Sequence, residues 1–248
     1  MNGIFSPYSS NRVWDATVSA SVAPLTSYDL DALKSTNPAE RVRWGATSVT
    51  VTFTLPTAKA ATVFALPASN LQGAVLTLTN GAGLSEAVAI PTMPGNQIPL
   101  TAVLVFAEST SATWNLVISG NASNVTLGGG IWIGASEELD RNFRYGWREV
   151  EKQPGPEVMN DFGVEYVPYL GGQLREFACT FIPRDAELPQ ITRWFKDGRR
   201  RPMLWWPNPS VNDAYVGRWI SDYVAERAHP KQNPVQAQFR ELSKGKPV

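Results

Sequence analysis

Residues 48–55 read SVTVTFTL. Val49, Val51, Phe53 and Leu55 alternate with one serine and three threonines, so an extended chain turns four apolar side chains to one face and four hydroxyls to the other. A helix would scatter the same residues around its circumference. This period of two makes the surrounding region β. Outward from it the sequence offers further short runs of the same kind: ATVFAL at 61–66, GAVLTLTN at 73–80, AVAIP at 87–91, TAVLVFA at 101–107, ATWNLVIS at 112–119 and VTLGGGIWIG at 125–134. Between them lie PASN, NGAG, PGNQ and GNASN, whose Pro, Gly and Asn supply the fixed or positive φ that turns need. Each run is expected to be a separate strand, and together they predict an antiparallel β-sandwich of jelly-roll type over residues 1–135. The glycines from Gly128 to Gly130 read as a strand or bulge, because no helix follows to receive a phosphate.

A chain of 248 residues with 43% hydrophobic residues, 19 Gly, 19 Pro and 9 Trp folds without covalent staples. Its charge is uneven. Residues 1–135 hold 5 basic and 6 acidic side chains, and residues 136–248 hold 17 and 16. A shift this abrupt near Ala135 predicts two modules with different surfaces.

The second module, 136–248, reads as β-rich α+β with one helix packed on an antiparallel sheet. DAELPQITRWFKDG at 185–198 is the helix: Asp185 is placed to cap it, Pro189 is tolerated in the first turn, and Gly198 reads as a left-handed stop. Leu188, Ile191, Trp194 and Phe195 fall three or four apart and form one apolar face. Strands are expected at 163–170, 174–182, 201–207, 213–220 and 234–242, with Gly171 and Gly172 joining the first two in a hairpin. The order is β-β-α-β-β-β.

The helix runs into FKDGRRRPMLWWPNPS at 195–210. One arginine suffices to meet the negative helix end, so Arg199, Arg200 and Arg201 together point to an interface with a neighbouring chain. A neutral chain, with 22 basic and 22 acidic residues, gives no general field for nucleic acid. Trp205 and Trp206 must point to opposite faces of a strand. One is expected in the core and the other against solvent or a partner. Pro202, Pro207 and Pro209 suit an edge strand. In the first half, Trp14, Tyr28, Trp44, Trp114 and Trp132 are the aromatics available to stack on a sugar. Trp114 and Trp132 sit inside alternating strands and read as core, which leaves Trp14 and Trp44 as the carbohydrate-binding candidates.

Enzymatic signatures are missing from the sequence. Cys179 lies in the alternating stretch EFACTFI and reads as a small buried apolar residue. His229, the single histidine, stands beside Pro230 in a polar loop, which removes His-rich metal sites and a Ser-His-Asp triad. Glu137, Glu138, Asp140, Asp161 and Asp185 share no strand face that would make two carboxylates converge. GxSxG, HExxH, Walker and dinucleotide motifs do not occur. The chain is therefore expected to be no enzyme and to take no cofactor and no metal. It carries neither a span of eighteen apolar residues nor a signal sequence in MNGIFSPYSSNR, so it is expected to be made in the cytoplasm without membrane insertion.

ALPASNLQGAVLTLTNG at 65–81, with ATWNLVISG and VTLGGGIWIG after it, resembles the jelly-roll modules in tail proteins of long-tailed bacteriophages. REFACTFIPRDAELPQITRWFKDGRRRPMLWWPNP at 175–209, then YVGRWI and QAQFREL, is similar to the strand-helix-strand order of phage distal tail and baseplate ring subunits. The resemblance implies a virion structural subunit, a distal or minor tail protein, that forms a ring or collar of its own copies and anchors neighbouring tail proteins. The order of modules is the reverse of the usual distal tail layout. A second implied reading is a virion protein that binds a host-surface glycan through its first domain.

Overall fold

A computed structural model describes residues 3–37, 40–67, 71, 73–91, 101–139, 148–152, 158–159, 165–166, 174–207, 214–225 and 234–241. Its strands run in chain order as β1 (Ile4–Ser6), β2 (Thr17–Ala20), β3 (Arg41–Arg43), β4 (Val49–Pro67), β5 (Val75–Asn80), β6 (Ser85–Ala89), β7 (Thr101–Ser119), β8 (Thr126–Gly128) and β9 (Trp132–Gly134). There follow β10 (Glu137–Glu138), β11 (Arg148–Lys152), β12 (Val158–Met159), β13 (Glu165–Tyr166), β14 (Leu174–Phe181), helix α1 (Leu188–Arg200), β15 (Met203–Trp206), β16 (Tyr215–Trp219), β17 (Val224–Ala225) and β18 (Val235–Glu241). The fold is mainly β, a sandwich followed by an α+β module, and among the described residues the strand pairs are antiparallel.

The first half is built on two 19-residue strands, β4 and β7, which pair with each other over almost their whole length. They carry β2 and β9 on one side and β5 and β6 on the other, in the order β2-β4-β7-β5-β6 with β9 also on β4. The runs at 48–55 and 61–66, expected as two strands, are one strand, and so are those at 101–107 and 112–119. No glycine or asparagine separates them, and the one proline between them is Pro56. The chain absorbs Pro56 where the pairing slips between Thr54 and Lys59, a bulge where a missing donor costs little. A second slip between Ala61 and Val63 changes what the strand buries. Before it Val49, Val51, Phe53 and Leu55 face one core; after it Phe64 and Leu66 face that same core while Val63 and Ala65 face another. Strand β8 pairs with β3, and a Cβ at Gly129 would lie 2.7 Å from the carbonyl oxygens of Ser35 and Asn37, so the glycine run permits a close backbone approach.

The second half centres on an eight-stranded sheet ordered β10-β1-β15-β16-β18-β14-β11, with β17 also on β18. Strand β1 belongs to it. The first residues of the chain thus complete the sheet of the last hundred, and a boundary drawn at Ala135 is crossed by the N-terminus. Ile4, Phe5 and Ser6 pair with Trp206, Trp205 and Leu204, so β15 is an interior strand. This corrects the edge-strand expectation. Pro202 and Pro207 flank β15 and spare its ladder donors, while Pro209 lies outside the described residues.

Helix α1 lays Ile191 and Trp194, both fully buried, on one face of this sheet, with Leu188 and Phe195 half-buried beside them. A 3-10 turn, Asp185–Glu187, precedes it. Its start is secured by Glu187 accepting the Arg184 backbone N–H at 2.6 Å, so the cap position falls on Arg184, one residue before the expected Asp185. Gly198 is not the stop. The helix continues to Arg200, and Gly198 is buried inside it because a Cβ there would sit 2.7 Å from Met203 Sδ. The expected Gly171–Gly172 hairpin lies outside the described residues.

Candidate functional site

Trp205 and Trp206 do point to opposite faces, as a strand demands, yet neither is exposed: they are 1% and 8% accessible. Trp205 sits among Phe5, Phe177 and Phe239, with ring centroids 5.7, 4.0 and 4.5 Å away. Trp206 packs with Leu204 and Val216 against Ile4, Val63, Ala65, Val103 and Trp132. The expected partner of the second indole is the chain's own first half. This overturns Trp205 and Trp206 as residues of an external interface.

The joint between the halves is also polar. Trp132 Nε1 donates to Ser6 Oγ at 2.7 Å, and Ser6 Oγ donates to the Ala135 carbonyl at 2.6 Å. Asn11 ties the same place from a different direction: its Nδ2 donates to the Ile131 carbonyl, and its Oδ1 accepts the backbone N–H groups of Val13 and Ile133. Three of its bonds are thus made to backbone, and it is 3% exposed. The carboxylate of Glu137 holds the helix to this joint, accepting from Trp194 Nε1 at 2.8 Å and from Gln190 Nε2 and Arg193. These bonds give Glu137 a structural post. Asp140, Asp161 and His229 lie outside the described residues, and among the described residues no three His, Cys, Asp or Glu side chains converge. Cys179 is buried in the helix-facing core, and burial pushes its thiol far above the ordinary range.

Of the five aromatics available to a sugar, Trp44, Trp114 and Trp132 are fully buried. Trp44 is excluded as a stacking platform because its backbone pairs with Val125 and Pro24 and carries its ring inward, into the sandwich core. Trp14 is half-buried and lies with Tyr8 at 5.2 Å in a stacked pair, edge-on to Trp132. Tyr28 remains, 39% exposed. It ends a loop, residues 21–29, in which all but Pro24 are exposed and Val22 and Leu25 also turn outward.

That loop is held rather than loose. The Leu25 N–H donates to the Arg43 carbonyl at 2.8 Å, the Thr50 N–H donates to Ser21 Oγ, and Asp29 accepts from the Asp31 N–H. Ser27 adopts φ of 80°, a left-handed conformation unusual for a residue with a Cβ. Tyr28 stands near Arg41, whose guanidinium is lowered from its ordinary value by burial while the neighbouring phenol acts in the opposite sense. The result is a fixed rim carrying an aromatic ring, two apolar side chains, a partly buried cation and the hydroxyls of Thr26 and Ser27. Sequence reasoning named Tyr28 but favoured the tryptophans. What separates them is burial, which the fold decides: Trp44, Trp114 and Trp132 are drawn into the interior and Tyr28 is not.

At the opposite character of site, Arg199, Arg200 and Arg201 are all exposed at the end of α1. With Phe195, Lys196 and Asp197 they line a recess of about 560 Å³. Arg199 lies over Phe195 at 5.7 Å and 3.5 Å from Asp222. Arg201 lies over the Tyr8 ring at 4.8 Å, and its N–H closes the helix on the Asp197 carbonyl. Arg200 makes no ion pair among the described residues.

No protein-family model matches the chain, and no curated protein does. Solved structures similar to it include the family 32 carbohydrate-binding module of C. perfringens NanJ in complex with galactose, at 13% identity and a TM-score of 0.41, over 52% of this chain and 98% of the module. A Streptococcus pneumoniae fucose-binding module superposes at 9% identity and a TM-score of 0.40, over 50% of this chain and 94% of its own. A chitosan-binding module from a chitosanase/glucanase of Paenibacillus sp. IK-5 gives 11% identity and a TM-score of 0.38, over 50% and 98%.

Proposed function

We propose that the chain is a non-catalytic binding protein that recognises a carbohydrate through the 21–29 rim of its first half, with Tyr28 as the stacking ring. The observation that carries this reading is Tyr28 itself, the most exposed of the five candidate aromatics, presented on a backbone fixed at Leu25, Ser21 and Asp29. Sugar rings offer C–H faces to an aromatic and hydroxyls to nearby polar groups. The rim offers both kinds of partner within one short segment. The second half then serves as a mount, joined through β1 and Trp206 so that the rim is held at a set orientation.

The test is binding to a printed glycan array, repeated with Tyr28→Ala. Stacking of this kind is worth about 1 kcal/mol or more, so the variant should lose about fivefold or more in affinity. Its melting temperature should not move. Absence of any retained glycan, or equal retention by the variant, removes the reading.

A second reading, a structural subunit of a phage tail tip, is favoured by one observation: three adjacent arginines stand exposed at the end of a rigid helix. In that reading the helix end meets another subunit. Native mass spectrometry of the purified chain, and its position in an assembled particle, test it directly.

A further inference from the structure

The recess at the C-terminal end of α1 is lined by four cations, Lys196, Arg199, Arg200 and Arg201, by the carboxylate of Asp197 and by an aromatic side chain, Phe195, with Asp222 3.5 Å from Arg199. Two features make it more than a solvated face. Phe195 is half-buried and locked edge-on to Trp219 at 5.5 Å and beside Tyr223 at 5.2 Å, so the recess has a rigid apolar component. Arg199 and Arg201 each rest over a ring, Phe195 and Tyr8, so their guanidinium groups are partly ordered before any partner arrives. Ordered cations lose less side-chain entropy on binding than free ones. Between them Arg200 has no ion pair among the described residues and retains its full donor fork. The last carbonyls of α1 explain why cations gather here but not why so many do.

From this geometry we infer that the recess docks a protein segment bearing neighbouring carboxylates beside an apolar side chain. Carboxylates match the guanidinium fork in bidentate fashion, and the apolar side chain would cover Phe195. A nucleic acid fits less well. Its phosphates run in a continuous track, while the cations here occupy little more than one helical turn and enclose Asp197, which repels a polyanion. The chain as a whole carries no net charge to draw nucleic acid in. The inference deepens the assembly reading by naming the chemistry of the partner, and it rests on that reading only for the claim that the helix end is a contact surface.

The test uses the full chain and a fluorescein-labelled decapeptide in which glutamates and aspartates surround one leucine. A copy with glutamine and asparagine in place of the acids, and a short single-stranded DNA, serve as comparison probes. Anisotropy should show the acidic peptide binding, with affinity falling as salt rises. Arg200→Glu should weaken it by about tenfold or more, Arg200→Gln by less, and Lys59→Glu, exposed in the first half, not at all. Circular dichroism of each variant checks that the fold persists, as the exposure of Arg200 predicts. Equal binding by Arg200→Glu, equal binding of the amide copy, or tighter binding of the DNA overturns the proposal. Failure of the assembly reading looks different, since the chain would then be monomeric in native mass spectrometry and missing from the particle while the peptide still bound.

Discussion

Trp206 and Tyr28 are both large aromatics in Pro-rich or turn-rich sequence, and their fates differ because of what the fold brings to them. Trp206 is covered by Ile4, Val63, Val103 and Trp132 from four separate parts of the chain. Removing its ring leaves a cavity that all four would have to collapse into. Truncations of this size cost about 3–5 kcal/mol, so Trp206→Ala should lower the urea midpoint steeply, whereas Tyr28→Ala should leave it in place. Equal midpoints for Trp206→Ala and the parent would show that the second indole is not packed. Cys179 gives a residue-scale prediction of a different kind. Its thiol, ordinarily near 9.0, is raised by burial in the folded state. The folded protein therefore holds a proton that the unfolded chain releases above about pH 9. Stability is complete below that pH and falls as pH rises through it, by up to about 1.4 kcal/mol per unit for one group. Urea titrations of the parent and Cys179→Ala across this range should diverge above pH 9, with the variant less alkali-sensitive. The same burial predicts that a thiol reagent labels the native protein far more slowly than the urea-unfolded one.

At the scale of elements, the sequence shows which segments form strands and helix but not where they end or what lies beside them. The alternation at 48–55 and the apolar face of Leu188, Ile191, Trp194 and Phe195 are local signals and are seen directly in the structure. The fusion of two runs into β4 and of two more into β7 is not local, since a bulge is decided by the partner strand. Gly198 was misread for the same reason. Its role comes from Met203 and Trp219 across the helix–sheet contact, which no neighbour in sequence reveals. Strand β1 carries no alternation at all, because Ile4 and Phe5 are buried on opposite faces, one toward each half. The candidate site was legible in part: the arginines from their surplus over what a helix end needs, and Tyr28 only as one aromatic among several. Gly217 offers a test at this scale. A general strand preference favours alanine over glycine, yet a Cβ at this position would lie 2.5 Å from the Arg240 carbonyl oxygen. Backbone of a paired neighbour cannot swing aside, so the clash outweighs the preference. Gly217→Ala should destabilise by about 1–3 kcal/mol, the range for overpacked sites, read as a lower melting temperature. A neutral or stabilising result would mean that β16 and β18 are further apart.

Across the whole molecule, charge marks two halves but packing joins them. The first half is nearly uncharged and the second densely charged, which is a statement about surfaces. The interior follows a different division. Phe5 stacks on Trp194 at 4.3 Å and on Trp205 at 5.7 Å inside the second half, while Ile4, one residue earlier, packs on the first. Asn11 and Ser6 then fasten the chain just after β1 to residues 131–135. Opening either half strands part of the other: without the second sheet, β1 loses both neighbouring strands, and without the first half, Trp206 and Val216 lose their cover. Burial of this kind couples stabilities, so the halves should unfold together although their compositions suggest two independent domains. Peptide-level hydrogen exchange along a urea series measures this directly. Amides of β4 in the first half and β14 in the second should show the same opening free energy and the same dependence on urea. Phe5→Ala, which removes a ring only from the second core, should lower both values by similar amounts. Loss of protection in β14 at a urea concentration where β4 is still fully protected would show that the shared strand does not bind the two halves into one cooperative unit.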